Sequence, residues 1–251
     1  MNKNIYHLLN GDALKGQFPI DIPGHRLVAR LCLVDGEVES DDLDDFFEKR
    51  ACFISKNYPN YSKEDYFEGI EDILQLKKLS PDVELNLWFE KDLFCQVNFW
   101  FVASMIHKHS NPNEVYLVLP KIESPYSFGH MTKSELQKAF TQRVKITSQQ
   151  LARLTELWQA YQKNNFEVMH KVSDKLLDAF PFVKEAVTLH QGRQKINGQL
   201  SAPESALLSI SEELQTTDLG PILSLFIERH GAYGFGDLQV KKMLKTVLGE
   251  T

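Results

Sequence analysis

Cysteine is scarce in this chain. The three thiols, Cys32, Cys52 and Cys95, form an odd set without C-x-x-C spacing. That argues against a disulfide framework and against a thiolate metal cluster. It leaves reduced thiols among apolar neighbours, the usage expected of a cytoplasmic protein. Cys95 has one further possibility, because a helix N-terminus at that point would depress a thiol pKa and favour catalysis. Long hydrophobic runs are also missing. No stretch approaches the roughly 20 apolar residues that cross a bilayer, so no membrane contact is expected. The first residues lead straight into a strand pattern, without the apolar segment of a signal peptide. Several chemical signatures are absent as well. There is no G-x-x-x-x-G-K-[ST] phosphate loop, no G-x-G-x-x-G dinucleotide turn and no G-x-S-x-G nucleophile elbow. The eight histidines show no H-E-x-x-H; His107 and His109 are two apart on a helical pattern and diverge, so a zinc site is not expected.

Basic charge is short in the front half. Residues 1–125 carry 13 Lys and Arg against 21 Asp and Glu. An acidic surface of this kind argues against broad contact with nucleic acid or with an anionic membrane. The final helical pattern, residues 201–251, has four basic residues against seven acidic. A trihelical DNA reader ending on Gln239, Lys241, Lys242 and Lys245 is therefore disfavoured, since such readers show a basic surface.

The composition that is present belongs to a globular protein: 251 residues, 43% hydrophobic and 25% charged, with 16 phenylalanines. The front half alternates strands and helices. Strand patterns cover residues 5–9, 27–34, 83–89 and 115–119, the second being an almost continuous apolar run of the kind buried on both faces. Helical patterns fall near 41–56 with Ser40 as N-cap, near 63–78 with Ser62 as N-cap, and after Asp92, where the run is strongly apolar. The first strand-to-strand connection is too short for more than a short or irregular helix. Such alternation predicts an α/β fold, with a Rossmann-like, mostly parallel sheet. From Met131 onward the pattern is all-helical. Thr132/Glu135, Thr147/Gln150 and Ser201/Glu204 read as capping boxes, Pro203 as a first helical residue, and further helices fit 165–178, 183–194, 218–230 and 237–248. The expected organisation is an α/β unit over residues 1–125 and a helical unit over 126–251, divided within the Pro- and Gly-bearing segment 120–130.

Candidate chemistry lies just beyond the predicted strands. Asn10-Gly11-Asp12 follows the first, Asp35-Gly36-Glu37 the second, Glu90-Lys91-Asp92 the third, and Pro120-Lys121 the fourth. If the strands are parallel, these turns share one sheet edge, where α/β folds bind ligands. Gathered carboxylates could hold Mg²⁺ or divide acid and base duties; equally, Asx-Gly sequences are ordinary turn formers. Arg30 sits inside the apolar run and needs an anionic partner, either a structural carboxylate or a ligand. Asp92 reads as the cap of the following helix, with Gln96 one turn on. Trp88 and Phe89 read as core.

The segments His7–Asp12, Arg50-Ala51, Trp88 with Gln96 eight residues later, and the ending Tyr233–Gln239 together resemble the bacterial family called domain of unknown function 1835. The motifs extend over residues 5–120, and the tail is similar to that of related proteins. The resemblance implies a comparable N-terminal region followed by helices, and marks Asp12, Arg50, Trp88, Asp92 and Gln96 as positions of interest. It implies no reaction. The combined expectation is a small polar or anionic, for instance phosphorylated, ligand at the strand ends. Asp12 and Asp92 would be catalytic if the protein is a Mg²⁺-dependent hydrolase or transferase, with Asn10, Gly11, Arg30, Asp35, Arg50, Trp88, Glu90 and Gln96 as ligand contacts. The alternative is a non-enzymatic regulatory or protein-interaction module, and the third reading is DNA binding through the last helices.

Overall fold

The computed structural model describes residues 4–40, 42–58, 60–121 and 126–249. The front half builds β1 (Ile5–Leu9), α1 (Asp12–Gln17), β2 (His25–Val28), α2 (Leu43–Asn57), α3 (Lys63–Gly69), α4 (Glu71–Leu76), β3 (Glu84–Trp88), α5 (Leu93–His109) and β4 (Glu114–Val118). The strands lie in the order β2-β1-β3-β4, all parallel. The α/β expectation therefore holds, with a mostly parallel sheet in the front half and mostly helices behind it.

Register follows from the two-residue period of a strand. Leu8, Leu87 and Leu117 stand side by side on one face, and Leu9, Trp88 and Val118 on the other. The first face meets the main core. The second meets a smaller core completed by Leu14 and Phe18, by Phe128, and by Met131, Leu136 and Ala139. Helix α5 is buried along nearly its whole length, Leu93 to Ile106. A helix apolar all round must be covered on every side, and α7 (Ser148–Gln162) and α9 (Phe182–Gly192) pack against it.

Four expectations are corrected. The strand predicted over 27–34 ends at Val28. Beyond Ala29, whose N–H still reaches the Leu9 carbonyl, the backbone is taken over by side chains: Asn98 donates to the Leu31 carbonyl at 2.9 Å and accepts from the Leu33 N–H at 3.3 Å. The apolar run is buried, but its polar groups are satisfied by a helix and not by a ladder. The helix predicted over 63–78 is two helices, parted at Gly69 and Ile70, where Gly disfavours continuation. The N-cap of α2 is Asp42, which accepts from the Asp45 N–H at 2.8 Å; Ser40 binds the Asp45 carboxylate, and residue 41, the predicted start, lies outside the described residues. A fifth strand, β5 (Val144–Ile146), pairs antiparallel with β4 in the part expected to be wholly helical.

That strand and α6 (Lys133–Thr141), which covers the smaller core, belong to the sheet layer although both lie beyond residue 126. The boundary itself, at residues 125 and 126, touches positions 122–125 outside the described residues. The remaining helices are α8 (Phe166–Leu176), α10 (Ala202–Leu214), α11 (Leu219–His230) and α12 (Asp237–Leu248), with a 3-10 turn at Gly231–Tyr233. All three capping boxes form. Pro203 takes the second helical position, one later than expected, and its missing N–H is an orphan there too. No helix among the described residues is long and apolar enough to cross a membrane.

Candidate functional site

The sheet order places β1 between β2 and β3, so the chain leaves β1 to one side and returns past it to the other. At such a switch point the loops beyond the strand ends part and leave a crevice. Asn10 sits in it. Its backbone N–H continues the ladder to the Trp88 carbonyl at 3.2 Å. Its amide nitrogen donates to Glu90 Oε2 at 3.3 Å and lies 2.8 Å from Cys95 Sγ, while its oxygen accepts from Asn98 at 3.4 Å. The turns after the first and third strands thus meet, as the sequence suggested. Gly11 follows with φ 100° and ψ 163°, a conformation closed to residues with a Cβ.

At this junction is an acid cluster, buried at Asp92 and Cys95 and half-buried at Glu90. One donor atom from each of Glu90, Asp92 and Cys95 lies within 4.8 Å of the others, so these are the residues placed to hold a cation. Asp92 caps α5, accepting from the Cys95 N–H at 2.9 Å. The Cys95 thiol donates to Glu90 Oε2 at 3.3 Å, and the Phe128 N–H to Glu90 Oε1 at 3.4 Å. No Lys or Arg pairs with either carboxylate among the described residues. Burial therefore raises the Glu90 carboxyl, and burial reinforced by the Glu90 charge raises that of Asp92 to about 7. Burial and the two acids push the Cys95 thiol well up, which opposes the depressed pKa a catalytic thiol needs. A sulfur donor also suits Mg²⁺ poorly, since that ion takes oxygen ligands. The donor set thus gives no support to Mg²⁺, one possibility the sequence left open.

Beside the cluster, above the carboxyl ends of β1 and β2, lies a cavity of about 400 Å³. Asn10, Gly11 and Asp12 form one wall, and residues 29–32 beyond β2 form the next. Ile54 and Tyr58 at the end of α2, then Tyr61, Asp65, Tyr66 and Gly69, supply the far side, with Phe94 from α5 and Leu238 and Gln239 from α12 completing it. Arg30 is exposed, not buried, and its fork grips Asp12: Nε to Oδ2 and Nη2 to Oδ1, both 2.7 Å, with Asp72 at 3.8 Å. That hydrogen-bonded pair holds the Asp12 carboxyl below its ordinary range. The Tyr66 hydroxyl is buried and has no hydrogen-bond partner among the described residues.

The other expected site residues are placed elsewhere. Arg50 is fully buried and donates to the carbonyls of Asp35 at 2.7 Å, Glu37 at 3.0 Å and Cys32. It organises the loop after β2 and does not face the cavity. Asp35 is displaced from the sheet edge because β2 ends early; it accepts from Tyr58 at 2.9 Å and from Arg193 at 3.2 Å. Trp88 is fully buried in the smaller core, where its indole N–H donates to His7 Nδ1 at 3.1 Å while His7 Nε2 faces the Pro23 carbonyl at 3.0 Å. Those two partners fix the neutral Nε2–H tautomer, and burial lowers the His7 pKa. Gln96 is buried and donates to the Glu90 carbonyl at 2.8 Å. Lys121 pairs with Glu135 at 2.7 Å in a separate groove.

Of the expected residues, Asn10, Gly11, Asp12 and Arg30 line the cavity, while Glu90, Asp92 and Gln96 do not and are tied to it through the bond from Asn10 to Glu90. The aromatic wall of Tyr58, Tyr61, Tyr66 and Phe94 went unanticipated, because nothing in their spacing separates a pocket ring from a core ring. Gln239 lies in the tail segment that the sequence had marked, and its amide reaches Cys32 Sγ at 3.6 Å. Neither family models, nor curated proteins, nor solved structures give a match to this chain.

Proposed function

We propose that this protein binds a small polar molecule in the cavity at the carboxyl ends of β1 and β2. One observation carries the reading: six separate segments of chain, from Asn10 to Gln239, converge on a space of about 400 Å³ beyond the carboxyl ends of β1 and β2, next to the switch point of the sheet. Ligand sites in α/β folds concentrate there, and sites for small molecules range over about 300–1,000 Å³. Of the two ligand types that the sequence suggested, the uncharged polar one has the better support. Arg30, the cation of the wall, is already neutralised by Asp12, and Asp65 adds a further negative charge. The chain is also proposed to belong to the domain of unknown function 1835 family. In support, the Asn10, Asp92 and Gln96 segments that carry the resemblance lie together. The tail closes over them too: a Cβ on Gly234 would fall 1.9 Å from Asp92 Oδ1.

A thermal-shift panel of neutral polar compounds, phosphorylated compounds and divalent ions tests the binding reading, since a ligand of the folded state raises Tm by mass action. The control is Gly69→Leu, which fills the cavity from a wall where a Cβ has only ordinary contact with Arg30. A shift seen with the native chain and abolished in Gly69→Leu is the expected result. A shift that survives the substitution places the ligand elsewhere.

A further inference from the structure

We propose that Glu90, Asp92 and Cys95 hold a thiophilic divalent cation of the Zn²⁺ kind, with the Gln96 amide oxygen as fourth donor, directly or through a water. The site lies outside the cavity and does not depend on the binding reading above.

Donor geometry comes first. One donor atom from each of the three residues lies within 4.8 Å of the others, and Cys95 Sγ and Glu90 Oε2 are 3.3 Å apart. A tetrahedral Zn²⁺ holds sulfur at about 2.3 Å and carboxylate oxygen at about 2.0–2.2 Å, which sets neighbouring donors roughly 3.5 Å apart. The thiol proton that bridges Sγ and Oε2 would pass to solvent, and the ion would take its place. Chemical type comes second. A thiolate disfavours Mg²⁺ and Ca²⁺, and two carboxylates beside it favour Zn²⁺ over Cu⁺. The sequence argument against zinc rested on the histidines, and this donor set uses none.

Gln96 supplies the independent sign. Its side chain is fully buried, its Nε2 is fixed on the Glu90 carbonyl at 2.8 Å, and its Oε1 has no hydrogen-bond partner among the described residues. A helical side chain lies over the turn N-terminal to its own Cα. For Gln96 that turn is Glu90–Asp92, so the orphaned oxygen is held against the acid cluster. A buried amide oxygen ordinarily has a donor; here a cation, or the water on it, would serve. The outer contacts are in place as well. The Phe128 N–H holds Glu90 Oε1, the Cys95 N–H holds Asp92 Oδ1, and the Asn10 amide donates to Glu90 Oε2. An ion has a way in, since Glu90 is half-buried and Asn10, bonded to it, lines the cavity.

The experiment strips the full chain with EDTA and titrates it with Co²⁺, read by the thiolate-to-cobalt charge-transfer band in the near ultraviolet, and then displaces Co²⁺ with Zn²⁺. The native chain and Cys52→Ser, which removes the exposed thiol, are expected to give a band that saturates at one Co²⁺ per chain. Cys95→Ser, close in shape, is expected to give none. Gln96→Leu and Asp92→Asn keep the thiol and should each weaken Zn²⁺ binding by at least about tenfold, the smallest loss typical of removing even a supporting contact. If Cys95→Ser does not fold, these two variants decide. Mg²⁺ in about hundredfold excess should not displace Co²⁺. Zn²⁺ should raise the Tm of Gly69→Leu as much as that of the native chain, because filling the cavity leaves this site intact. A band that survives Cys95→Ser would overturn the proposal. So would native affinity in Gln96→Leu or Asp92→Asn, displacement by Mg²⁺, a Zn²⁺ shift lost in Gly69→Leu, or no binding of either ion. Apart from that Zn²⁺ shift, none of these outcomes bears on the cavity reading, which is judged by the loss of a ligand's shift in Gly69→Leu.

Discussion

A buried acid, Asp92, and a half-buried one, Glu90, lie beside a buried thiol with no Lys or Arg paired to either among the described residues, and protonation relieves the charge. Asp92 is raised from its ordinary 3.8 to about 7 by burial, with Glu90 adding to the rise. Its proton is held by the folded state and released on unfolding. The associated stability is fully present below about pH 4 and is lost as pH rises to about 7. The loss is on the order of a few kcal/mol. Asp92→Asn keeps an oxygen to accept from the Cys95 N–H but cannot ionise. It should be more stable than the native chain at pH 8, with the advantage shrinking towards pH 4. Urea midpoints across that range give the comparison, and parallel profiles would show that Asp92 is ionised in the folded protein. Arg50 poses the complementary case. Its guanidinium feeds three carbonyls of one loop, so Arg50→Met, similar in length but without donors, should cost about 3 kcal/mol or more. A change below 1 kcal/mol in the unfolding free energy would mean that the loop finds other donors. The sequence invited attention to Arg30, alone in an apolar run, as the buried arginine. The roles are reversed: Arg50 sits on a helix whose pattern gave no hint that three carbonyls wait opposite it.

At the scale of elements, α12 closes the cavity, and the turn before it decides whether it can. Gly234 has φ 66°, and an added Cβ there would collide with the carboxylate of Asp92. Gly234→Ala should therefore destabilise the protein by at least ~1 kcal/mol from the left-handed backbone alone, with the collision adding more. It should also displace Leu238 and Gln239 and weaken ligand binding. Denaturant unfolding and titration measure the two effects separately. Unchanged binding in a folded Gly234→Ala would show that α12 is not needed as a wall. The same scale shows what a sequence makes visible. Helices with a marked apolar stripe and a cap, such as the one opened by Thr132 and Glu135, are legible because both signals are local. The convergence of Asn10 and Glu90 is legible too, once parallel strands are assumed. The end of β2 is not, because it depends on Asn98, 70 residues beyond Val28 in the chain. Nor is β5, since three residues, Val144, Lys145 and Ile146, cannot show a period. The cavity's aromatic wall is assembled from the turn between α2 and α3, from α3 itself and from the start of α5, and its identity as a wall exists only in three dimensions.

For the whole molecule, the distribution of apolar surface argues against two independent halves. Helix α5 belongs to the front segment, yet α7 and α9 cover one side of it, and a single core runs from Leu8 on β1 to Leu244 on α12. The sheet's last strand and the helix over its smaller core come from residues after 126. A chain cut at that point would leave β4 as an unpaired edge and Trp100, Phe101 and Met105 facing water, the kind of patch that drives association. Fragments 1–125 and 126–251 expressed apart should thus fail to give dispersed amide resonances or a cooperative melt, while the intact chain unfolds in one transition whether followed by tryptophan fluorescence or by far-UV circular dichroism. The tryptophans make the test demanding, because Trp88 reports on the smaller core and Trp100 and Trp158 on the larger. A fluorescence transition displaced from the dichroism transition, or a front fragment that folds alone, would mean that the cores are separable. In that case the wall contributed by α12 could open while the sheet stays folded, and ligand binding would no longer be coupled to the stability of the whole.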